Sequence, residues 1–185
     1  MASRRATDIK KQSAVQTTPH VGIIGGSKND FPVLKEAAEC LTSLGVASEM
    51  RVISAHRTPD LAFEYARSAE SRGLRIIIAG AGGAAHLAGV MAALTHLPII
   101  GVPIASEPLR GIDALLAMVQ MPRGIPVATV AIGGAKNAAL LAAAILALSD
   151  PALRKRLIAY RDAQTQAVIQ ESVVSPAIFG VRTEK

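Results

Sequence analysis

His56 and Arg57 stand side by side in the stretch Ser54-Ala55-His56-Arg57-Thr58-Pro59. The residues before it, Glu49-Met50-Arg51-Val52-Ile53, alternate polar and apolar as a strand does. Those after it, Asp60 to Ala66, read as a helix. Thr58 is placed as its N-cap and Pro59 at its first position, where a missing N–H costs nothing. A helix N-terminus attracts anions through free N–H groups and the macrodipole. Arg57 adds a planar fork suited to phosphate. Histidine is the side chain type that exchanges a proton near neutral pH. The stretch therefore predicts an anion-holding, proton-moving site at the carboxyl edge of a sheet. The plain alternative is a surface loop with two solvated side chains.

Two more loops carry similar signals. Val21-Gly22-Ile23-Ile24-Gly25-Gly26 reads as a buried parallel strand running into a tight turn. Ser27-Lys28-Asn29-Asp30 follows, and a helix closed by Gly45 comes next, with Asp30 placed to cap it. The N–H groups and hydroxyl of this Gly-Ser loop meet a phosphate or ribose, or the loop is an ordinary strand-to-helix turn. It has neither the Gly-Lys-Ser/Thr ending of a Walker loop nor the spacing of a dinucleotide fingerprint. Arg75 to Ala79 reads as the third strand, and Gly80-Ala81-Gly82-Gly83-Ala84-Ala85-His86 opens a third helix. So many small residues after a strand imply a close approach to the backbone, by a ligand or by a neighbouring helix. His86 either faces that ligand or satisfies its nitrogens on backbone groups.

The remaining chain supplies the scaffold. Pro98 to Pro103 reads as a fourth strand, and Gly111 to Val119 as a short helix. Gln120 to Pro126 is a stiff irregular segment, suited to lie over a pocket or at a subunit contact. Val127 to Ile132 reads as a fifth strand. An Ala/Leu helix then runs to Leu148, apolar almost all round, and so buried in the core or between subunits. Asp150-Pro151 starts a last helix, which runs to about Glu171 with Leu153, Leu157, Tyr160 and Ala167 on one side. Strands alternating with helices imply a parallel sheet covered on both faces. Ligands of such sheets sit at the carboxyl edge near a topological switch point, where the three loops would converge.

Composition bounds the rest. The chain has 185 residues, 50% of them hydrophobic and only 3% aromatic, which fits one α/β domain over 21–171. Residues 1–20 read as a disordered basic tail and 172–185 as a C-terminal tail. The net charge of +6 includes Arg4, Arg5, Lys10 and Lys11 of that tail. Arg154-Lys155-Arg156 reads as a solvated helix face. The basic charge is not interleaved with aromatics, which argues against nucleic acid as a partner. Cys40 is the only cysteine and reads as a core thiol, so no intrachain disulfide forms. The expected setting is a reducing, cytoplasmic one, without signal peptide or membrane span; the longest apolar run, Ala138 to Leu148, is too short to cross a bilayer.

Taken together, the motifs resemble the class I N5-carboxyaminoimidazole ribonucleotide mutases of purine biosynthesis. The residues that carry the resemblance are Gly26-Ser27-x-x-Asp30, Ser54 to Pro59, Ala79 to Leu87, Gln120 to Val127 and Asn137 to Ala142. It covers roughly residues 21–170. It implies a flavodoxin-like three-layer αβα sandwich with a five-stranded parallel sheet and a C-terminal helix, assembled as a homo-octamer. It implies interconversion of N5-carboxyaminoimidazole ribonucleotide and 4-carboxy-5-aminoimidazole ribonucleotide without cofactor or metal. Carried over by motif, His56 is the acid/base, and Ser27, Asp30 and Arg57 bind the ribose phosphate portion. Ser54, Gly82 and His86 complete the substrate-binding set. Three positions depart from the family pattern: Gly25 stands where Met is usual, Asn29 where Ser is usual, and Phe31 where Trp is common.

Two other readings compete. Enzymes that carboxylate aminoimidazole ribonucleotide directly typically carry Lys-Gly-Pro after the histidine and lack the Gly-Gly-Ala-Ala-His run. Arg57-Thr58-Pro59 and Gly82 to His86 favour the mutase. A non-catalytic nucleotide- or flavin-binding module on the same kind of sheet is the second. Flavin would colour the purified protein.

Overall fold

A computed structural model describes residues 18–107 and 109–172. The expectations for the far tails fall outside those residues. Five strands form one parallel sheet: β1 (Val21–Gly25), β2 (Ser48–Val52), β3 (Ile76–Gly82), β4 (Ile99–Ile104) and β5 (Ala128–Thr129), in the order β2-β1-β3-β4-β5. Six α-helices follow the strands: α1 (Phe31–Ser43), α2 (Pro59–Ser68), α3 (Leu87–Leu94), α4 (Ile112–Val119), α5 (Ala135–Leu146) and α6 (Pro151–Glu171). The strand order is that of the flavodoxin-like fold, with its switch point between β1 and β3.

The period-two rule of strands explains the layers. Ile76 and Ile78 point to one face, where α1, α5 and α6 supply Leu34, Leu41, Ala138, Ala142 and Leu153. Ile77 and Ala79 point to the other, where α2, α3 and α4 supply Ala62, Tyr65, Met91 and Met118. Cys40 is buried on the α1 side, as the sequence suggests, and burial pushes its thiol above the ordinary range.

The structure corrects several details and selects the core alternative for α5. The third strand runs on through Gly82, so the small residues Gly80 to Gly82 belong to β3 and α3 starts only at Leu87. Parallel pairing with β4 holds Ala81 opposite Pro103 and Gly82 opposite Ile104. The fifth strand, expected over Val127 to Ile132, is regular only at Ala128–Thr129. It is an edge strand that follows Pro126 and has one partner, and beyond Thr129 only separate bonds tie it to β4, such as Val130 N to Gly101 O at 3.0 Å. The alanines of α5 need no second subunit to bury them, because Ala135, Ala138, Ala139, Ala142 and Ala143 all lie in the core cluster with α1. Finally, α6 packs through Leu153 and Leu157 but is exposed from Arg161 onward, Ala167 included. The segment Gln120 to Pro126 lies beside α3, with Met121 against Gly89 and Gly124 to Pro126 near His96 and Pro98, away from the His56 loop.

The seat of α2 matters for function, because α2 follows the His56 loop directly. Tyr65 is buried and its hydroxyl lies over Gly22 of β1, so closely that a Cβ on Gly22 would collide with it. Arg72, paired with Glu49 of β2 at 2.7 Å, stacks 4.7 Å from the Tyr65 ring. Burial, reinforced by Glu49, raises the phenol's pKa and keeps it neutral. Gly22→Ala should therefore lower stability by about 1–3 kcal/mol, as overpacking does. Adding Tyr65→Phe, which deletes the colliding atom, should recover part of that loss in urea denaturation. A Gly22→Ala protein as stable as its parent would show that α2 moves at no cost.

Candidate active site

The carboxyl ends of β1, β2 and β3 lie in register, with Gly25 opposite both Val52 and Gly80. Their three loops meet over a cavity of about 300 Å³ lined by Gly26, Ser27, Asp30, Ser54, Ala55, His56, Arg57, Ala81, Gly82, Ala84 and Leu87. That volume lies at the lower end of the range for small-molecule sites. Six of the seven residues expected at the site line this cavity, and the seventh, His86, bonds to one of them.

The β1 loop folds as a capping box. Ser27 Oγ accepts from Asn29 N at 3.2 Å, and Asp30 Oδ2 accepts from Ser27 N at 2.7 Å, around a single 3-10 turn. Asp30 thus does not cap α1 through its side chain, as the sequence suggests, but fixes the serine before it. It is 8% exposed, the one buried acidic residue among those described, and its second oxygen accepts no hydrogen bond from the described residues. The three departures from the family pattern also find their places. A Cβ on Gly25 would come 3.0 Å from the Phe31 ring and 3.0 Å from Leu34, so Phe31 occupies the space a side chain at Gly25 would need. Asn29 contributes its backbone N–H to the turn while its side chain is exposed.

The β2 loop is locked at both ends by Ser54 and Thr58. Thr58 N and Thr58 Oγ1 donate to Ser54 O at 2.9 and 3.0 Å, and Thr58 Oγ1 accepts from Ser54 N at 3.1 Å. This corrects the capping role expected of the Thr58 hydroxyl: it closes the loop, and α2 starts without a side-chain cap. The i, i+4 spacing of a serine and a threonine around the loop is the signal that was available for this lock. Arg57 then straps the loop to its neighbour. Its Nη2 donates to Gly26 O at 2.6 Å and its Nε to Ser54 Oγ at 3.3 Å. The backbone N–H of Arg57 also donates to Ser54 Oγ, at 3.2 Å.

His56 takes no part in these loop bonds. Its Nε2 lies 3.0 Å from Nδ1 of His86, the N-cap residue of α3, with the rings edge to face at 85° and their centroids 5.1 Å apart. One of the two nitrogens holds the proton of this bond and the other accepts it. The sequence places both histidines near a ligand but does not join them; 30 residues separate them, and the register of β1 between β2 and β3 brings them together. The third wall, from Gly80 to Gly82, carries no side chain larger than a methyl group. A Cβ on Gly82 would stand 3.1 Å from Ile104 O, and one on Gly80 would hit Leu34 at 2.7 Å. The apolar Ala81, Ala84 and Leu87 complete it. The arrangement offers an exchangeable proton on His56, a guanidinium, a serine turn with a buried carboxylate, and a small apolar recess.

Comparison with known proteins gives a consistent picture. The sequence profile of the AIR carboxylase family matches residues 20–167. The N5-carboxyaminoimidazole ribonucleotide mutase of Pyrococcus abyssi is 62% identical over 144 residues, which span 78% of this chain and 83% of that protein. The mutase of the same name from Mycobacterium tuberculosis H37Rv is 55% identical over 165 residues, 89% of this chain and 95% of that one. The bifunctional purine synthesis protein purC/E of Dictyostelium discoideum is 59% identical over 160 residues; the match takes in 85% of this chain but only 16% of that longer protein. Among solved structures, Treponema denticola PurE superposes with a TM-score of 0.76 at 30% identity, over 83% of this chain and 96% of that one.

Proposed function

The chain belongs to the AIR carboxylase family, and we propose that His56 carries the proton transfers of its reaction. The protein is an isomerase of purine biosynthesis, a mutase that converts N5-carboxyaminoimidazole ribonucleotide to 4-carboxy-5-aminoimidazole ribonucleotide. Moving the carboxylate from the exocyclic nitrogen to the ring carbon takes a decarboxylation and a recarboxylation. The nitrogen gains a proton as its bond to the carboxyl carbon breaks and carbon dioxide leaves. The ring carbon attacks carbon dioxide and afterwards gives up its own proton. The two transfers balance, so one group that donates first and accepts second returns to its starting state.

The observation that carries this reading is the His56–His86 bond at the mouth of the cavity. Of the groups in the cavity, His56 is the imidazole, and it is free of the loop's own bonds. His86 holds the imidazole edge-on and receives or returns the proton of the shared bond. Ser27, Asp30, Ser54 and Arg57 hold the ribose phosphate portion, remote from the reacting atoms, so that binding energy keeps the ring in register. The recess at Gly82 and Ala84 holds carbon dioxide between the two steps, beside the apolar Ala81 and Leu87.

The test is turnover of substrate labelled at the carboxylate carbon in excess unlabelled bicarbonate, without ATP. Retention of label in the product is expected. Washout of all label at the rate of turnover would overturn the enclosed intermediate, and turnover only of aminoimidazole ribonucleotide with bicarbonate would overturn the mutase assignment.

A homo-octamer is part of the same proposal. Leu109 precedes α4, and Ile112, Leu116 and Val119 fall on one stripe of it at helical spacing; all four are more than half exposed, at 51–57%. Burial of that stripe by a second copy explains why a chain of small side chains leaves these large ones outside. Light scattering should return a mass eight times that of the chain, in the cytoplasmic setting expected of the pathway. A monomer at micromolar concentration would refute the assembly.

A further inference from the structure

We propose that a second cleft, at the amino edge of the sheet, binds a small molecule with a phosphate group, an apolar body and a hydrogen-bond donor, as in a nucleoside monophosphate. The cleft measures about 320 Å³ and is lined in part by His20, Arg75, Leu146, Asp150, Leu153 and Arg156. His20 immediately precedes β1 and Arg75 immediately precedes β3, so the cleft lies at the opposite strand ends from His56. A molecule bound there does not touch the reacting atoms.

Arg156 is the main observation. It is exposed, as the solvated helix face read from the sequence expects, and its Nε donates to Leu44 O at 2.7 Å, across 112 residues of chain. The guanidinium lies against Gly45. Its Nε, Cζ and Nη2 stand 3.6–3.7 Å from where a Cβ would be, and Gly45 takes φ +68°, a conformation other residues adopt at a cost. The fork is thus anchored at one nitrogen and backed by bare backbone, while its terminal nitrogens keep no protein partner among the described residues. Arg75 is also fixed through its backbone, with its N–H donating to His20 O at 2.8 Å. Among the described residues neither guanidinium has a carboxylate within ion-pair distance, whereas nearby Arg72 is spent on Glu49.

Asp150 keeps its charge but forms no ion pair with either guanidinium among the described residues; its Oδ1 accepts from Ala152 N at 2.9 Å and from Leu153 N at 3.0 Å as the N-cap of α6. Its other oxygen is left to accept from a ligand hydroxyl or amine. Leu146 and Leu153 supply an apolar floor. Two forks without counterions select a doubly charged anion such as phosphate.

The test is calorimetric titration of the full-length protein with AMP and, separately, with inorganic phosphate. Two classes of AMP site per chain are expected. Arg57→Ala should remove the class at the His56 cavity and leave the other. Arg75→Ala and Arg156→Gln should each weaken the second class about tenfold or more, with the KM for the mutase substrate unchanged. Arg75 is exposed and its side chain makes no hydrogen bond or ion pair among the described residues, so Arg75→Ala reads binding even if Arg156→Gln disturbs folding. A single class that vanishes in Arg57→Ala would overturn the proposal, as would a second class indifferent to Arg75→Ala. Inorganic phosphate binding as tightly as AMP would overturn the assignment of a nucleotide-like body. Because the readout is binding, failure here is separable from failure of the mutase reading.

Discussion

His56→Asn is expected to lower turnover of N5-carboxyaminoimidazole ribonucleotide by about a thousandfold or more, with little effect on stability or nucleotide affinity. The size follows from two proton transfers that depend on one group, since a positioned acid or base contributes about a hundred- to ten-thousandfold. Stability should hold because the loop is closed without the imidazole. Thr58 and Ser54 exchange three hydrogen bonds around it, and Arg57 ties it to Gly26. His56 is exposed, so the substitution leaves no buried cavity. Asparagine ends short of the position of the His56 Nε2 that meets His86 Nδ1, and it cannot carry a proton between atoms. Steady-state kcat, the midpoint of thermal unfolding and product affinity, measured together, separate these effects. A variant with near-parental kcat would end the case for His56. A variant that unfolds easily would show that the loop needs the ring as structure.

What could be read in the sequence divides along physical lines. The three loops at the carboxyl edge were legible because each is marked by residues with narrow uses: Gly25-Gly26 and Gly80 to Gly83 for close approach, and Pro59 for a first helical position. The parallel sheet covered on both faces followed from alternation, and the flavodoxin-like sandwich from the resemblance. Bonds between side chains far apart in sequence were not legible. Nothing in the spacing of His56 and His86 foretells a 3.0 Å contact, because it depends on β1 lying between β2 and β3. The same holds for Arg156, whose partner Leu44 O is set by the packing of α6 on α5 and not by any local pattern. Misreadings arose where a residue type has several uses at one position. Asp30 and Thr58 both stand where a helix cap would, yet each spends its oxygen on a neighbouring loop atom instead. The apolarity of α5 was legible but its partner was not, since a run of alanines suits a tight fit to α1 as well as a fit to another subunit. The exposed stripe of α4 shows up only once burial is known.

Arg57→Ala is expected to raise KM and to lower kcat less steeply, and the structure says why both should move. The guanidinium faces the cavity, where one charged contact to a phosphate is worth about 1.5–3 kcal/mol, or roughly ten- to a hundredfold in affinity. It also holds the β1 loop against the β2 loop through Gly26 O and Ser54 Oγ. Losing that strap frees Ser27 relative to His56, so a phosphate held by one loop no longer fixes the ring over the other. Misplacement of that kind lowers kcat even when chemistry is intact. Arg57→Lys distinguishes the two roles. A lysine restores the charge near the phosphate but has one donor head where the strap uses two separate nitrogens. It should therefore recover much of the lost affinity while kcat stays depressed. If Lys restored kcat and KM alike, charge alone would account for Arg57 and the strap would be incidental. If neither variant changed KM, the phosphate would have to lie elsewhere in the cavity, and the serine turn at Ser27 would become its sole anchor.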